Sequence, residues 1–550
     1  MSRRYLLLQF WLIFSTCFLL TALWYSNDRI IGTQKEFLQD DSRNLFALDD
    51  TEDDENPAIE DPEEFHVKDA EKKEDGDDGE EEKEEVVDPS EKELDEGQEE
   101  NDDHQEDSES DKEDGKAEAE KEQARNYEIM RGAKINQSVG TGHPHFIYRA
   151  YYDNRTSTGR IRIFSVTECM KKGTSITIKY AGTSYKMKHG TVEGECPPAW
   201  TKACTTNPHI LESPPFNLTE SKKLTLVINK SEVQLDIHVP PPLVDALQIC
   251  VPALYWYDDW PRLVVFLELW KAQNATVVFY VHSVSRNVQK VLDFYEAQGV
   301  AHIIPWTSLP RFNDYDPNRS TYRLSHTIAI NDCILRSSAE YIALIDVDEY
   351  ILTRNPSLHD FVKGLMGKSN VGSLKFNHLE LSMDPPIDFG FDGIKNAKGY
   401  RMKGGREKTV FKTKNALISS THYIRVHSGR ATKINVIYEN GALLHNRVTF
   451  DFNNRGHKFE RLNRIATLDS TWPYNKHLYD QVMDSLELIF SENVPEFNRN
   501  VSAIFRQCLN GWQAEHTCKD VIGRCYNEMV AVEEWDFQES TDDSHFTVLL

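Results

Sequence analysis

The sequence predicts an α/β protein: a mostly parallel sheet flanked by helices, preceded by a small β-rich region. Three observations carry this. From Leu247 onward, short apolar runs alternate with segments of helical spacing, the pattern of strand–helix–strand units. Between residues 141 and 243, β-branched and aromatic runs are instead separated by Gly, Asn and Pro. The run YIALIDVDEYILT, Tyr341 to Thr353, follows three strand–helix units and carries two aspartates one residue apart, Asp346 and Asp348.

Taken in order, HFIYRAYYD, GRIRIFSVTEC, TSITIKYAG and KKLTLVINKSEVQLDIHVP read as strands of a small sandwich or accessory sheet. The three prolines at 240–242 mark a boundary. QICVPALYW is the first strand of the next region. Leu263, Phe266, Leu267 and Trp270 then share one helix face, and TVVFYVH (276–282) is a strand. Val288, Val291, Leu292 and Tyr295 repeat the helical spacing, and Gly299 ends that helix. VAHIIPW (300–306) is a third strand, Leu324 to Ser338 a third helix, and IALID the fourth strand. Alternation of this kind implies right-handed crossovers in a parallel sheet. GSLKFNHLEL looks like a further strand. No Gly-x-Gly-x-x-Gly follows the first strand and no Walker motif is present, which disfavours a dinucleotide cofactor.

The charge is unevenly spread. Residues 49–122 hold 39 Asp and Glu against 8 Lys and Arg, a local charge of −31 within a chain of −27. The remainder is slightly basic, and nothing in it suggests a nucleic-acid surface. The acidic tract cannot bury enough apolar surface to offset its chain entropy, so it reads as a disordered, self-repelling spacer. A calcium-buffering or partner-binding tail is the sharper alternative. Tyr5 to Asn27 contains no charged residue, follows Arg3 and Arg4, and ends near Trp24 and Tyr25. That is the pattern of an uncleaved anchor with a cytosolic N-terminus, a cleaved signal peptide being the competing reading. The expected organisation is a cytosolic tail (1–4), a transmembrane signal-anchor (5–27), an acidic stem (28–140), a β-rich accessory region (141–243), an α/β domain (244–530) and a C-terminal tail (531–550).

A lumenal setting has two further supports. Seven Asn-x-Ser/Thr sequons stand at Asn136, Asn154, Asn217, Asn229, Asn274, Asn318 and Asn500. Of nine cysteines, Cys17 lies in the apolar segment. The other eight (Cys169, Cys196, Cys204, Cys250, Cys333, Cys508, Cys518 and Cys525) are an even number in an oxidising compartment, which implies disulfides of undetermined pairing. Cys508, Cys518 and Cys525 lack the spacing of a zinc cluster.

The chemistry centres on Asp346 and Asp348. A buried strand delivers them to its own carboxyl edge, where ligands of α/β sheets bind. Hard carboxylate oxygens there suit Mg²⁺ or Mn²⁺ held against a diphosphate, as in many nucleotide-sugar transferases. Transfer also needs a general base and reactants held in line. Glu349 either supports the pair or points away. His445, which ends the apolar run ALLHNR, is a candidate third metal or phosphate ligand, ahead of His427. Arg447, Lys408 and Lys412 are candidate phosphate contacts, with a solvated surface charge the commoner fate of the lysines. Glu380, Asp384 and Glu407 lie where an acceptor would sit; Glu380 and Asp384 rank first as general bases because they end an apolar run.

The chain resembles glycosyltransferase family 92. The likeness rests on HFIYRAYYDNR, YWYDDWPRLVVFLELWKAQNATVVFYVHS, VLDFYEAQGVAHIIPW, SHTIAINDCILRSSAEYIALIDVDEYI and ALLHNR, over roughly residues 145 to 525. It implies a GT-A fold, a type II Golgi membrane topology, and metal-dependent inverting transfer of a sugar, galactose from UDP-galactose being the known family activity. The implied cofactors are Mn²⁺ (or Mg²⁺) and a UDP-sugar donor; the implied partner is a glycan or glycoprotein acceptor. The family's Asp-x-Asp falls on Asp346 and Asp348, and its late His-Tyr-Arg on His445 and Arg447, with Asn446 in the middle. That departure leaves open an inactive, glycan-binding relative. A metal-dependent hydrolase on the same scaffold is weaker, because such sites need more His and Asp ligands.

Overall fold

A computed structural model describes residues 121–550, apart from 141, 156–157, 368–369, 402–406, 447–459, 462–467, 469, 492, 511–517, 519 and 542–543. The expected anchor at 5–27 and the stem as far as residue 120 lie outside the described residues. Among the described residues, no helix is long and apolar enough to cross a membrane. Residues 126–550 fall within one compact unit.

The β-rich region forms eight strands between His145 and His238, joined by a ninth, Thr547–Leu549, which pairs antiparallel with His145–Ile147. The segment expected as a C-terminal tail is therefore part of the fold. A second piece of it, Trp535–Phe537, pairs with Ser283–Ser285.

The strands that follow are numbered from the start of the α/β region: β1 Val244–Cys250, β2 Thr276–Val281, β3 Ala301–Pro305, β4 Ala339–Leu344, β5 Glu349–Thr353, β6 Val371–Phe376, β7 His378–Ser382, β8 Lys398–Arg401, β9 Lys408–Lys412, β10 Thr432–Val436 and β11 Gly441–His445. The helices are α1 Trp260–Ala272, α2 Arg286–Ala297, α3 His326–Arg336, α4 Leu358–Met366 and α5 Lys476–Phe490. The central sheet runs β3-β2-β1-β4-β9-β6-β10. The first four strands are parallel, as the alternating pattern requires, and β9 runs against both β4 and β6. A second sheet runs β5-β11-β7-β8, with Glu460–Arg461 at its far edge.

Period-two alternation explains why the central sheet is covered on both faces. Ile249, Val277, Phe279, Tyr341 and Ala343 enter one core with α1, α2, α4 and α5. Their neighbours Cys250, Val278, Tyr280, Ile342 and Leu344 enter a second core, which includes Phe146, Tyr148 and Phe164 of the accessory sheet. The accessory sheet's other face, with Ile147, Ile161 and Ile163, makes a third core. A buried carboxylate joins these layers: Asp332 on α3 accepts from Tyr151 at 2.5 Å, Tyr280 at 2.7 Å and Arg336 at 2.5 Å.

Three expected elements differ. The run QICVPALYW is strand only as far as Cys250. The third helix starts at His326 instead of Leu324, because Arg323, Leu324 and Ser325 have φ of 42°, 52° and 55°. The run GSLKFNHLEL is two strands in two sheets, broken at Asn377, whose carbonyl accepts from Leu443. The eight cysteines form four disulfides: Cys169–Cys196, Cys204–Cys518, Cys250–Cys333 and Cys508–Cys525.

Six sequon asparagines are exposed: Asn136, Asn154, Asn217, Asn229, Asn274 and Asn500. Asn318 is buried and its amide is in use: Oδ1 accepts from the Leu309 N–H at 2.8 Å, and Nδ2 donates to the Leu309 carbonyl at 2.9 Å. The folded chain therefore offers no acceptor amide at this sequon. Glycopeptide mapping of chain made in a secretory host should find Asn318 unmodified while several of the exposed six carry glycans. A stoichiometric glycan on Asn318 would contradict the buried placement.

Candidate active site at the carboxyl edge of the central sheet

Strand order reverses direction at β1: the chain moves outward through β2 and β3, then returns to add β4 on β1's other side. Such a switch point opens a crevice beyond the carboxyl ends of β1 and β4. Two loops border it, Val251–Asp259 after β1 and Ile345–Asp348 after β4. α1 begins there, capped by Asp259, whose carboxylate accepts from the Arg262 N–H at 3.1 Å.

Asp346 and Asp348 both stand at this edge, and each has a cationic partner. Lys408 at the start of β9 places Nζ 2.6 Å from Asp346 Oδ2 and 3.3 Å from Glu349 Oε2. His445 at the end of β11 places Nε2 2.9 Å from Asp348 Oδ2. The Asp346 and Asp348 side chains keep 42% and 30% of their surface exposed, so both carboxylates reach the crevice. Partial burial works to raise each carboxyl; Lys408 outweighs it at Asp346 and His445 at Asp348, so both are held below the usual carboxylate range. The same attraction, acting against burial, lifts His445 to about 9.

Glu349 lies under this pair. Its Oε2 accepts from the Asp346 N–H at 2.9 Å, and burial raises its carboxyl to about 7 against the pull of Lys408. Of the two readings open for Glu349, the supporting one fits. Lys408 is only 1% exposed, so it is neither a solvated surface charge nor a free phosphate contact; it neutralises the floor of the site. Sequence alone hid this, because a lysine in the run KTVFK carries no mark of burial.

The remaining candidates scatter. Glu380 is fully buried behind His445 and His378, so it does not face an acceptor as a general base must. Asp384 is exposed in the turn after β7. Glu407 pairs with Lys375. Lys412 lies at the opposite end of β9, beside Tyr341. His427 bonds Ser373 at 3.0 Å, away from the crevice. Arg447 lies outside the described residues. The Asn446 backbone N–H donates to the Asp348 carbonyl at 2.7 Å, while its side-chain amide sits 3.8 Å from Met383 sulfur. Its side chain thus turns away from the two aspartates.

The loop after β1 supplies a group the sequence reading passed over. Asp258 is 8% exposed, and its Oδ2 makes no hydrogen bond among the described residues. Burial, with Glu533 and Asp388 nearby, raises this carboxyl to about 7. The signal was the pair of acids in YWYDDWP, directly after a strand at the binding edge.

The switch point of this α/β sheet thus opens onto a crevice lined by carboxylates, the side-chain chemistry that suits a hard cation. Residues 245–483 match the sequence profile of glycosyltransferase family 92, so this segment is similar to that family. It is similar to three Caenorhabditis elegans proteins named as family 92 members: F13G3.3 (28% identity, 38% of this chain, 43% of that protein), F55C10.4 (23%, 43% and 48%) and C33H5.2 (21%, 38% and 43%). The chain thus spans less than half the length of each relative it matches. Among solved structures, it is similar to S. aureus TarS 1–349 in complex with UDP-GlcNAc (10% identity, 55% of this chain, 99% of that one, TM-score 0.24). The bifunctional glycosyltransferase WbbM in apo form also matches (12% identity, 32% and 36%, TM-score 0.17).

The Asp258 carboxyl gives a pH prediction. Its folded value of about 7 exceeds the ordinary 3.8, so between them the folded chain binds more protons than the unfolded one. Its contribution is least unfavourable below pH 3.8, and stability falls as pH rises toward 7. Asp258→Asn should be more stable than the parent at pH 7 by roughly 1–3 kcal/mol and close to it at pH 4. Denaturant melts at the two pH values test this; an equal effect at both would exclude a raised carboxyl.

Proposed function

We propose that the protein is a metal-dependent hexosyltransferase that moves a sugar, galactose from UDP-galactose in the family-based reading, onto a glycan acceptor with inversion. It works as a type II Golgi membrane protein on a GT-A fold. The observation that supports this most is the placement of Asp346 and Asp348 at the switch-point crevice, both held ionised and both partly open.

The residues fit a hard divalent cation. Each aspartate commits one oxygen to its neighbour, Lys408 or His445, and its other oxygen has no partner among the described residues. Oxygen ligands of this kind suit Mn²⁺ or Mg²⁺, which keep open positions for phosphate oxygens. When bound, the cation supplies Lewis-acid stabilisation of the leaving diphosphate. The chain's own residues do the positioning. Lys408 and Glu349 fix Asp346 from below, and His445 fixes Asp348. Arg262 is held on α1 by Asp259 and Asp388, and adds positive charge beside Asp348. The inactive, glycan-binding alternative rests on Asn446, whose side-chain amide sits 3.8 Å from Met383 sulfur, and on the lack of an identified general base among the described residues.

The test is transfer by the full chain, purified in detergent, with a panel of UDP-sugars and a mixed N-glycan acceptor pool. Turnover should require Mn²⁺ or Mg²⁺ and vanish with EDTA. Asp348→Ala should remain folded and lose more than the about 100-fold that loss of an outer-shell partner costs a metal site. Full activity in that variant, or no turnover with any donor by folded protein, would sink the proposal.

A further inference from the structure

Behind the crevice, three buried side chains share one face of the second sheet. His378 and Glu380 stand two residues apart on β7 and so point the same way. Glu380 pairs in register with His445 on the neighbouring strand β11. His445 Nδ1 lies 3.3 Å from His378 Nε2, and His378 Nε2 lies 3.1 Å from Glu380 Oε1. One ligand atom from each of the three falls within 4.8 Å of the others.

Protons alone satisfy this cluster poorly. A ring nitrogen carries one hydrogen or one lone pair, so His378 Nε2 cannot serve both His445 and Glu380. Glu380 is 0% exposed; its Oε1 has only the ion-pair contact with His378 Nε2, and neither oxygen makes a hydrogen bond of good geometry among the described residues. A carboxylate buried in that state costs several kcal/mol unless it is paired or bound to a cation. The spacing points to the second solution. Ligands about 2.0–2.1 Å from a tetrahedral zinc stand roughly 3.3 Å apart, close to both measured separations.

We propose that His378, Glu380 and His445 form a binding site for one zinc-class divalent cation, separate from the donor-metal site at Asp346 and Asp348. The imidazole nitrogens select a borderline metal over Mg²⁺ or Ca²⁺. Glu380, through one oxygen or both, is the third residue of a His₂Glu set. The cation would displace the Nδ1 proton of the His445 imidazolium to solvent, leaving Nε2–H on Asp348 in the carboxylate–histidine–metal arrangement that orients metal ligands, with the ion's charge replacing the imidazolium's. The bound ion therefore fixes the ring that fixes Asp348. This assignment stands independently of the transfer reaction, since occupancy is measured without a substrate.

The experiment is metal analysis of the full chain, purified in detergent from zinc-sufficient cells and dialysed against a weak chelator. About one zinc per chain should remain in the parent and in Asp346→Asn, and Glu380→Gln and His378→Asn should lose most of it. Because those two variants could unfold, a second measurement uses the parent alone. Zinc exchanged for Co²⁺ should give the intense visible bands of a four-coordinate nitrogen–oxygen site, unchanged by added Mn²⁺. Folded parent without stoichiometric zinc and without those bands overturns the proposal. So does zinc that is lost with Asp346→Asn, since the ion would then belong to the donor site.

Discussion

Four carboxyl groups converge where the two sheets meet, and the surrounding structure is arranged to hold the charge of the outer two, Asp346 and Asp348. Asp346 and Asp348 face the crevice, while Glu349 and Glu380 lie beneath. Like charges at this spacing, partly removed from water, do not stay ionised without cations nearby. Lys408 and His445 provide them, each at the end of a strand that register fixes beside the acids. Removing either would leave a buried or half-buried anion unpaired, the situation that costs most in a protein interior.

This constraint links fold and site. β9 must run antiparallel to β4 for Lys408 to arrive at β4's carboxyl end. β11 must pair with both β5 and β7 for His445 to stand between Glu349 and Glu380. One-residue slips would turn these side chains to the opposite face. The Cys250–Cys333 bridge and the Asp332 cluster brace the same region from below, tying α3 to the end of β1 and to the accessory sheet. The rigidity a charged site needs is thus drawn from several elements far apart in sequence.

Much of this was legible in the sequence because it was local. Helix faces and strand runs from Leu247 to Asp346 follow from spacing alone, and Gly299 marks a helix end by chemistry visible in the chain. The Asp-x-Asp was legible for the same reason: an apolar run must end somewhere, and here it ends in acid. What was not legible depends on register between distant strands. Glu380 ended an apolar run and so read as a base facing the site; the break at Asn377 moves it to another sheet and buries it. Lys408 read as a surface charge, because nothing in five residues of strand reveals an anion 62 positions away. The last twenty residues read as a tail, yet two short pieces complete sheets whose open edges the sequence does not display.

The central claim is that Asp346 and Asp348 join a nucleotide diphosphate to the protein through a divalent cation. Calorimetric titration of the full chain with UDP, with and without Mn²⁺, and with Mn²⁺, with and without UDP, tests it most directly. Each ligand should tighten the other by the same factor, as linkage through a shared site requires, and Asp348→Ala should abolish that coupling. UDP binding that is indifferent to Mn²⁺ in the parent chain would contradict the account.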